Sequence, residues 1–245
     1  MVTGAAGGIG SEIVDRFLAE GDTVVASDLS EAALEEWRSR WDDNATRGRE
    51  AALHTVAADI ASEESVTALA DAVRQRADGA DVLINNAGFF SHTRFEDMST
   101  EEWRTVLDIN LTGTFLMIRA FVPLLKESSR GRIINIGSGS VYKGTPRQAH
   151  YIAAKGGVVG LTRVLARELG GYGITVNLLT PGLTITPMTE GVLPEELLQM
   201  QRDQRSFHRD ETPADLVGTI YFLASDDARF LTGQTVNVDG GLHFL

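Results

Sequence analysis

Seven short runs of mostly β-branched and apolar residues alternate with longer amphipathic segments along the chain, and few folds accommodate that rhythm. The runs are 1–3, 23–28, 53–58, 81–85, 132–136, 175–179 and 235–238. Most are continuously apolar, as strands buried on both faces are. The helical segments are 8–20, 31–42, 63–77, 100–126, 151–170 and 213–225. Two begin with start signals: Ser99 with Glu102 makes a capping box, and Thr212, Pro213 and Asp215 supply cap, first-turn proline and third-position acid. Strand and helix in alternation require crossover connections, so the pattern predicts an α/β fold. We expect a doubly wound, Rossmann-like parallel sheet of about seven strands with helices on both faces. The first run is a puzzle, because the first strand of such a sheet is normally central and three residues offer little backbone to two neighbours. Either the sheet tolerates this, or the natural chain begins several residues upstream of Met1.

A chain of 245 residues suits one such domain, 1–245, able to bury a core without staples. It contains no cysteine, which excludes disulfides, thiolate metal sites and cysteine nucleophiles. Its 22 Lys and Arg against 34 Asp and Glu give 22 − 34 = −12, a balance unsuited to nucleic acid or anionic membranes. Arg119 interrupts the apolar run 114–125, and the N-terminus lacks the pattern of a secretion signal, so a soluble, cytoplasmic protein is expected. No repeat or low-complexity linker marks a second domain. The least regular stretch, 181–212, reads as a substrate-binding loop or lid.

Between the first strand and first helix lies Thr3-Gly4-Ala5-Ala6-Gly7-Gly8-Ile9-Gly10. Glycines there let backbone approach a pyrophosphate while the helix N-terminus offers oriented N–H groups, although a tight turn alone also demands glycine. Asp28 ends the second strand 18 residues after Gly10, near the spacing at which an acid meets the adenosine ribose hydroxyls; its bland alternative is a turn or cap. A 2′-phosphate about 4 Å from that carboxylate would be repelled by a few kcal/mol at an effective dielectric of ~20. Gly7 and Leu29 stand where a basic residue would compensate, so NAD is expected over NADP.

Tyr151 and Lys155, four apart, share one helix face, and a neighbouring ammonium is expected to lower the phenol's pKa into a usable range. Ser138 follows the strand 132–136, at the strand end where parallel sheets present ligands, with Ser140 as the competing hydroxyl. The five histidines include no pair at close helical ligand spacing, so no metal site is predicted, and His92, His150 and His208 are read as solvent-facing or pocket-lining. Trp37 and Trp41 are read as helix packing.

With these residues in view, the chain resembles the short-chain dehydrogenase/reductase superfamily over nearly its whole length. The matching residues are Thr3-Gly4 through Gly8-Ile9-Gly10, Asn85-Asn86-Ala87-Gly88, Asn110 with Gly113, Ser138, Tyr151 with Lys155, and Pro181-Gly182. The resemblance implies that Ser138 orients a carbonyl or hydroxyl, Tyr151 is the acid/base, Lys155 binds the nicotinamide ribose and tunes Tyr151, and Asn110 completes a water-linked proton relay. It selects Ser138 over Ser140, because the family's serine lies thirteen residues before the tyrosine. It puts Asp59, with Ile60 beside it, near the adenine, and Asn86, Ala87 and Gly88 against the adenosine ribose. After Pro181-Gly182 it expects an apolar residue and then a threonine near the carboxamide; here Thr184 takes the usually apolar position and Thr186 the threonine. Phe89, Phe90, Val141, Tyr142, His150 and 183–207 are expected to flank the nicotinamide. The resemblance also implies a homotetramer built on the helices starting near Thr100 and Tyr151, with 239–245 near another interface. Together these readings predict an NAD-dependent enzyme interconverting a small secondary alcohol and a ketone. A 3-oxoacyl carrier-protein reductase is the alternative enzyme, and a non-catalytic nucleotide-binding regulator the alternative of another class.

Overall fold

A computed structural model describes residues 1–42, 52–187, 189 and 193–244. Its strands are β1 (Val2–Thr3), β2 (Val24–Asp28), β3 (Leu53–Ala57), β4 (Val82–Asn85), β5 (Arg132–Ile136), β6 (Thr175–Pro181) and β7 (Thr235–Val238). They form one parallel sheet in the order β3-β2-β1-β4-β5-β6-β7. The order reverses direction between β1 and β4, which leaves a crevice at the carboxyl ends of those two strands. The brief first strand does bridge both neighbours. Val2 is registered with Ala26 of β2 and Ile84 of β4, and the amide of Ile84 donates to Met1 O at 2.9 Å.

Alternate strand residues feed opposite faces, because successive side chains in a strand point to opposite sides. Ile133 and Val176 pack with Leu69, Met117 and Phe121 from helices α3 (Glu63–Ala77) and α5 (Gly113–Glu127). Ile134 and Leu179 pack on the other face with Ile13, Phe17 and Ile220 from α1 (Gly8–Ala19) and α9 (Pro213–Ala224). Trp37 of α2 (Glu31–Asp42) is buried in this second layer, as expected; the side chain of Trp41 lies outside the described residues. The capping box at Thr212 forms, its amide donating to Asp215 at 2.9 Å.

The expected single helix 100–126 is one path of chain with a defect in it. It runs as α4 (Thr100–Leu107), a π-helical turn (Asp108–Thr112) and α5. By length and composition the 28-residue stretch Thr100–Glu127 would cross a bilayer, yet Met117, Phe121 and Leu125 are spent on the sheet core. Two helices were not anticipated: the short α6 (Ser140–Lys143), and α8 (Glu195–Gln204) within the stretch read as irregular. The helix α7 starts at Ala149, two residues before the expected start, and ends at Leu169. Phe121 is fully buried at the centre of one layer. Phe121→Ala should therefore reduce unfolding free energy by about 3–5 kcal/mol, measured by denaturant titration.

Candidate active site

A cleft of about 900 Å³ opens at the switch point, running from Gly4, Asp28 and Asp59 past Asn86, Ala87 and Gly88 to Ser138, Tyr151 and Thr186. Backbone crowding dictates its floor. Gly4 has φ +62°, and a Cβ there would stand 2.8 Å from Ala87 Cα; a Cβ on Gly10 would stand 2.0 Å from Gly4 O. No larger residue fits either place. Gly8 and Ile9 of the first turn of α1 line the cleft, and that turn holds no acidic side chain, so its positive dipole end is left for an anion. Asn86 stitches the two central strands together, its Nδ2 donating to Thr3 O and Gly4 O at 3.0 and 3.1 Å. Thr3 Oγ1 accepts from the amides of Asn86 and Ala87, both at 3.1 Å, a role sequence reasoning missed.

Asp28 stands at one end of the cleft, its Oδ2 accepting from Ala6 N at 3.1 Å and its Oδ1 from Leu29 N at 2.8 Å. The carboxylate is thus aimed by backbone donors, and each oxygen keeps a second lone pair. Its neighbours in the lining are Gly7, Ser27, Leu29 and Ala33, none of them basic. Asp59 also lines the cleft and accepts from Ala61 N at 2.9 Å, while Ile60 packs against Gly113.

At the other end, Ser138, just past β5, and Tyr151 of α7 both line the cleft. Ser140 N donates to Ser138 Oγ at 3.2 Å, which fixes the serine side chain in the loop after β5. Lys155 is buried, its Nζ donating to Ile136 O at 2.8 Å and lying 5.7 Å from the centre of the Tyr151 ring. A Cβ on Gly88 would sit 2.9 Å from Asn110 Oδ1 and 3.5 Å from Lys155 Nζ, so the amide and ammonium close on the same glycine. Asn110 occupies the π-helical turn and is fully buried. Its Nδ2 donates to Phe89 O at 2.6 Å and Val106 O at 2.8 Å, and its Oδ1 accepts from Phe89 N at 3.3 Å.

The electrostatics correct one expectation. Burial pushes the Tyr151 phenol up to about 12, opposed by the Ser138 hydrogen bond, and pushes the Lys155 ammonium down to about 8. Desolvation sets the direction for the phenol, and the Lys155 ammonium is directed at Ile136 O rather than at the phenol.

The stretch after β6 is more ordered than a plain loop. Gly182 N and Thr184 Oγ1 both donate to Glu211, at 3.2 and 2.6 Å, and Arg205 Nη2 donates to Leu183 O at 2.8 Å while standing 3.5 Å from Glu211. The Thr184 hydroxyl, at a position expected to be apolar, is therefore spent anchoring this segment, although Pro181, Gly182, Thr184 and Thr186 all line the cleft. Thr186 packs over Gly8, whose added Cβ would meet it at 2.8 Å. Residues 188 and 190–192 of the expected lid lie outside the described residues. Phe89 and Phe90 line the cleft as expected; Val141, Tyr142 and His150 are not among its lining, and His150 is wholly buried behind it. Among the described residues no cluster suited to a metal ion occurs.

Lys155 carries a pH signature. Between about pH 8 and 10.5 the unfolded chain holds a proton that the folded one has shed, so stability rises with pH through that window. Relative to Lys155→Met, the wild type should gain on the order of 2 kcal/mol between pH 8 and 10 in paired denaturant titrations.

Comparison with known proteins converges on one family. The model of a family described as enoyl-(acyl carrier protein) reductase matches residues 4–243. A 3-oxoacyl-(acyl-carrier-protein) reductase of Synechocystis is 39% identical, covering 99% of this chain and 95% of its own. The 3-oxoacyl-(acyl-carrier-protein) reductase FabG of Staphylococcus aureus is 36% identical, covering 99% and 97%. Among solved structures, a short-chain dehydrogenase/reductase from Brucella melitensis, described as a glucose/ribitol dehydrogenase, superposes with a TM-score of 0.91 at 32% identity, covering 99% and 95%. The seven-stranded doubly wound sheet, the glycine-floored cleft and these full-length similarities agree, and the chain belongs to the short-chain dehydrogenase/reductases, oxidoreductases acting on CH–OH or carbonyl substrates.

Proposed function

We propose that the protein is an NAD(H)-dependent oxidoreductase that interconverts a small secondary alcohol and its ketone, with Tyr151 as the acid/base. The observation that carries this is the meeting of Ser138, Tyr151 and Lys155 at one end of a cleft whose other end is Asp28. The glycine floor and the unblocked first turn of α1 suit a pyrophosphate, so the residues fit a dinucleotide; Gly4, Gly8, Ile9 and Gly10 would hold that group, Asp28 the adenosine ribose, and Asp59 and Ile60 the adenine side. Asn86, Ala87 and Gly88 would wall the adenosine ribose, with Pro181, Gly182, Thr184 and Thr186 beside the carboxamide. When bound, the nicotinamide supplies or accepts the hydride exchanged with the substrate carbon.

The chain's own residues manage the oxygen. Ser138 donates to the substrate oxygen and holds it beside Tyr151. The phenol, kept protonated by burial, gives its proton to the oxygen during ketone reduction and takes it back during alcohol oxidation. Lys155, held by Ile136 O, would hold the nicotinamide ribose and steady the transient phenolate. Asn110 would join the proton path through a water; its side-chain groups are held by Phe89 and Val106, and its main-chain carbonyl also accepts from Thr114 Oγ1 at 3.0 Å. A homotetramer built on α4, α5 and α7 belongs to this reading; Phe115 and Val164 stand exposed on the latter two helices.

A second reading, a 3-oxoacyl carrier-protein reductase, is favoured by the names of the Synechocystis and S. aureus relatives. The acidic balance of −12 weighs against docking an acidic carrier protein. Turnover of small ketones but not of 3-oxoacyl thioesters supports the first reading, and the reverse supports the second.

Two measurements test the assignment. Tyr151→Phe should lower kcat for ketone reduction by about 10²–10⁴-fold with the NADH dissociation constant little changed, and unaltered turnover would remove Tyr151 from the chemistry. By fluorescence titration NADH should bind at least ~10-fold more tightly than NADPH, and Asp28→Ser should narrow that gap; tighter NADPH binding would overturn the Asp28 argument.

A further inference from the structure

Against the backbone amide of Tyr151 lies a polar cluster that the proposed chemistry leaves unused. His150 is completely buried and makes no wall of the cleft. Its Nδ1 accepts the backbone N–H of Tyr151 at 2.8 Å, a first-turn amide of α7 that has no partner within the helix. The ring's other nitrogen, Nε2, is 2.9 Å from Ser91 Oγ and 3.3 Å from Glu102 Oε1. Ser91 Oγ and Thr93 Oγ1 both donate to that same Glu102 oxygen, at 2.6 and 2.5 Å.

Donor and acceptor counting leaves one arrangement. Because Nδ1 accepts from an amide, the ring proton sits on Nε2. The Ser91 proton is committed to Glu102, so Ser91 Oγ accepts from Nε2–H. Glu102 Oε1 takes the Ser91 and Thr93 protons on its two lone pairs, and those two bonds hold its carboxyl below the usual range. The carboxylate thus orders a chain that runs from α4 through the loop after β4 to the amide of Tyr151.

That loop is also a wall of the cleft. Phe90 and His92 line it on either side of Ser91, with Phe90 5.7 Å from the Tyr151 ring, and Thr93 N donates to Arg147 O at 3.0 Å. Ser99 Oγ accepts from Glu102 N at 3.0 Å as a helix cap should, but the Glu102 side chain turns away from its expected reciprocal bond to serve Ser91 and Thr93. One carboxylate therefore holds both the backbone of Tyr151 and the aromatic wall facing its ring.

We infer that Glu102, acting through Ser91, Thr93 and His150, is a positioning residue that fixes the Tyr151 phenol and the Phe90 wall in register for proton transfer. Glu102 touches neither substrate nor cofactor. It selects the neutral Nε2–H form of His150, and that form alone can receive the Tyr151 amide. This inference rests on the proposed role of Tyr151, and its test has one arm independent of turnover.

The independent arm is ¹⁵N-detected NMR of the histidine rings, with His150 assigned by loss of its signals in His150→Asn. Wild type and Glu102→Gln should show His150 as the neutral Nε2–H form, since glutamine's carbonyl oxygen still accepts from Ser91 and Thr93. Glu102→Ala and the milder Ser91→Ala should show mixed or averaged ring forms. The kinetic arm uses NADH with ethyl acetoacetate as the probe ketone. Glu102→Ala and Ser91→Ala should lower kcat by about 10–100-fold, with the NADH dissociation constant within twofold of wild type, and Glu102→Gln should recover kcat to within about threefold. A His150 that keeps its Nε2–H form in Glu102→Ala and Ser91→Ala, or an unchanged kcat despite its loss, would overturn the inference. An equal kcat loss in Glu102→Gln and Glu102→Ala would overturn it too. If wild type fails to reduce the probe while the NMR forms behave as stated, the proposed function falls for this ketone and the ordering role of Glu102 stands.

Discussion

Desolvation of a phenol and an ammonium at the end of one strand governs how this cleft can work. Tyr151 and Lys155 come from one turn of α7; Lys155 is buried against Ile136 of β5, and Tyr151 is half-buried where it lines the cleft. Each is therefore biased toward neutrality, the phenol upward to about 12 and the ammonium downward to about 8. A phenol in that condition holds its proton more tightly than a solvated one. Loss of its proton requires new compensation, and the groups placed to give it are the Ser138 hydroxyl and the Lys155 ammonium.

Everything nearby serves to hold this pair still. The π-helical turn spends the side chain of Asn110 on Phe89 and Val106, pinning the strand-end loop to the long helix. Gly88 leaves room for that amide and the Lys155 ammonium to approach. On the far side, Thr184 and Gly182 are tied to Glu211, and Arg205 joins them from the end of α8. A buried ion pair of this kind contributes little net stability but penalises alternative loop positions, since either charge left alone in the interior is costly.

Much of this could be read from residue order. Continuous apolar runs signalled doubly buried strands, and all seven appear within a few residues of their expected bounds. The glycine turn was legible because backbone crowding leaves glycine alone at Gly4 and Gly10, and Tyr151 and Lys155 because helical spacing puts them on one face. The π-helical turn was not legible: its residues Asp108-Ile109-Asn110-Leu111-Thr112 continue the helical pattern, and only tertiary bonds to Phe89 reveal the change. Thr184 misled for a similar reason, its partner Glu211 lying 27 residues away. His150 resembled any polar residue beside a pocket, since nothing local announces that Ser91 and Glu102 meet its ring. The sign of the Tyr151 shift failed because a neighbouring charge is visible in sequence and burial is not.

The central claim is that burial strengthens the hold of the Tyr151 phenol on its proton, and that positive charge brought beside it by a bound cofactor would offset this. The most direct measurement is ultraviolet difference titration of wild type against Tyr151→Phe, alone and with saturating NAD⁺. The account predicts a phenol that titrates near 12 by itself and at least two pH units lower with NAD⁺ bound. A phenol with an ordinary value in the protein alone, or one that does not move when NAD⁺ saturates the cleft, would contradict it.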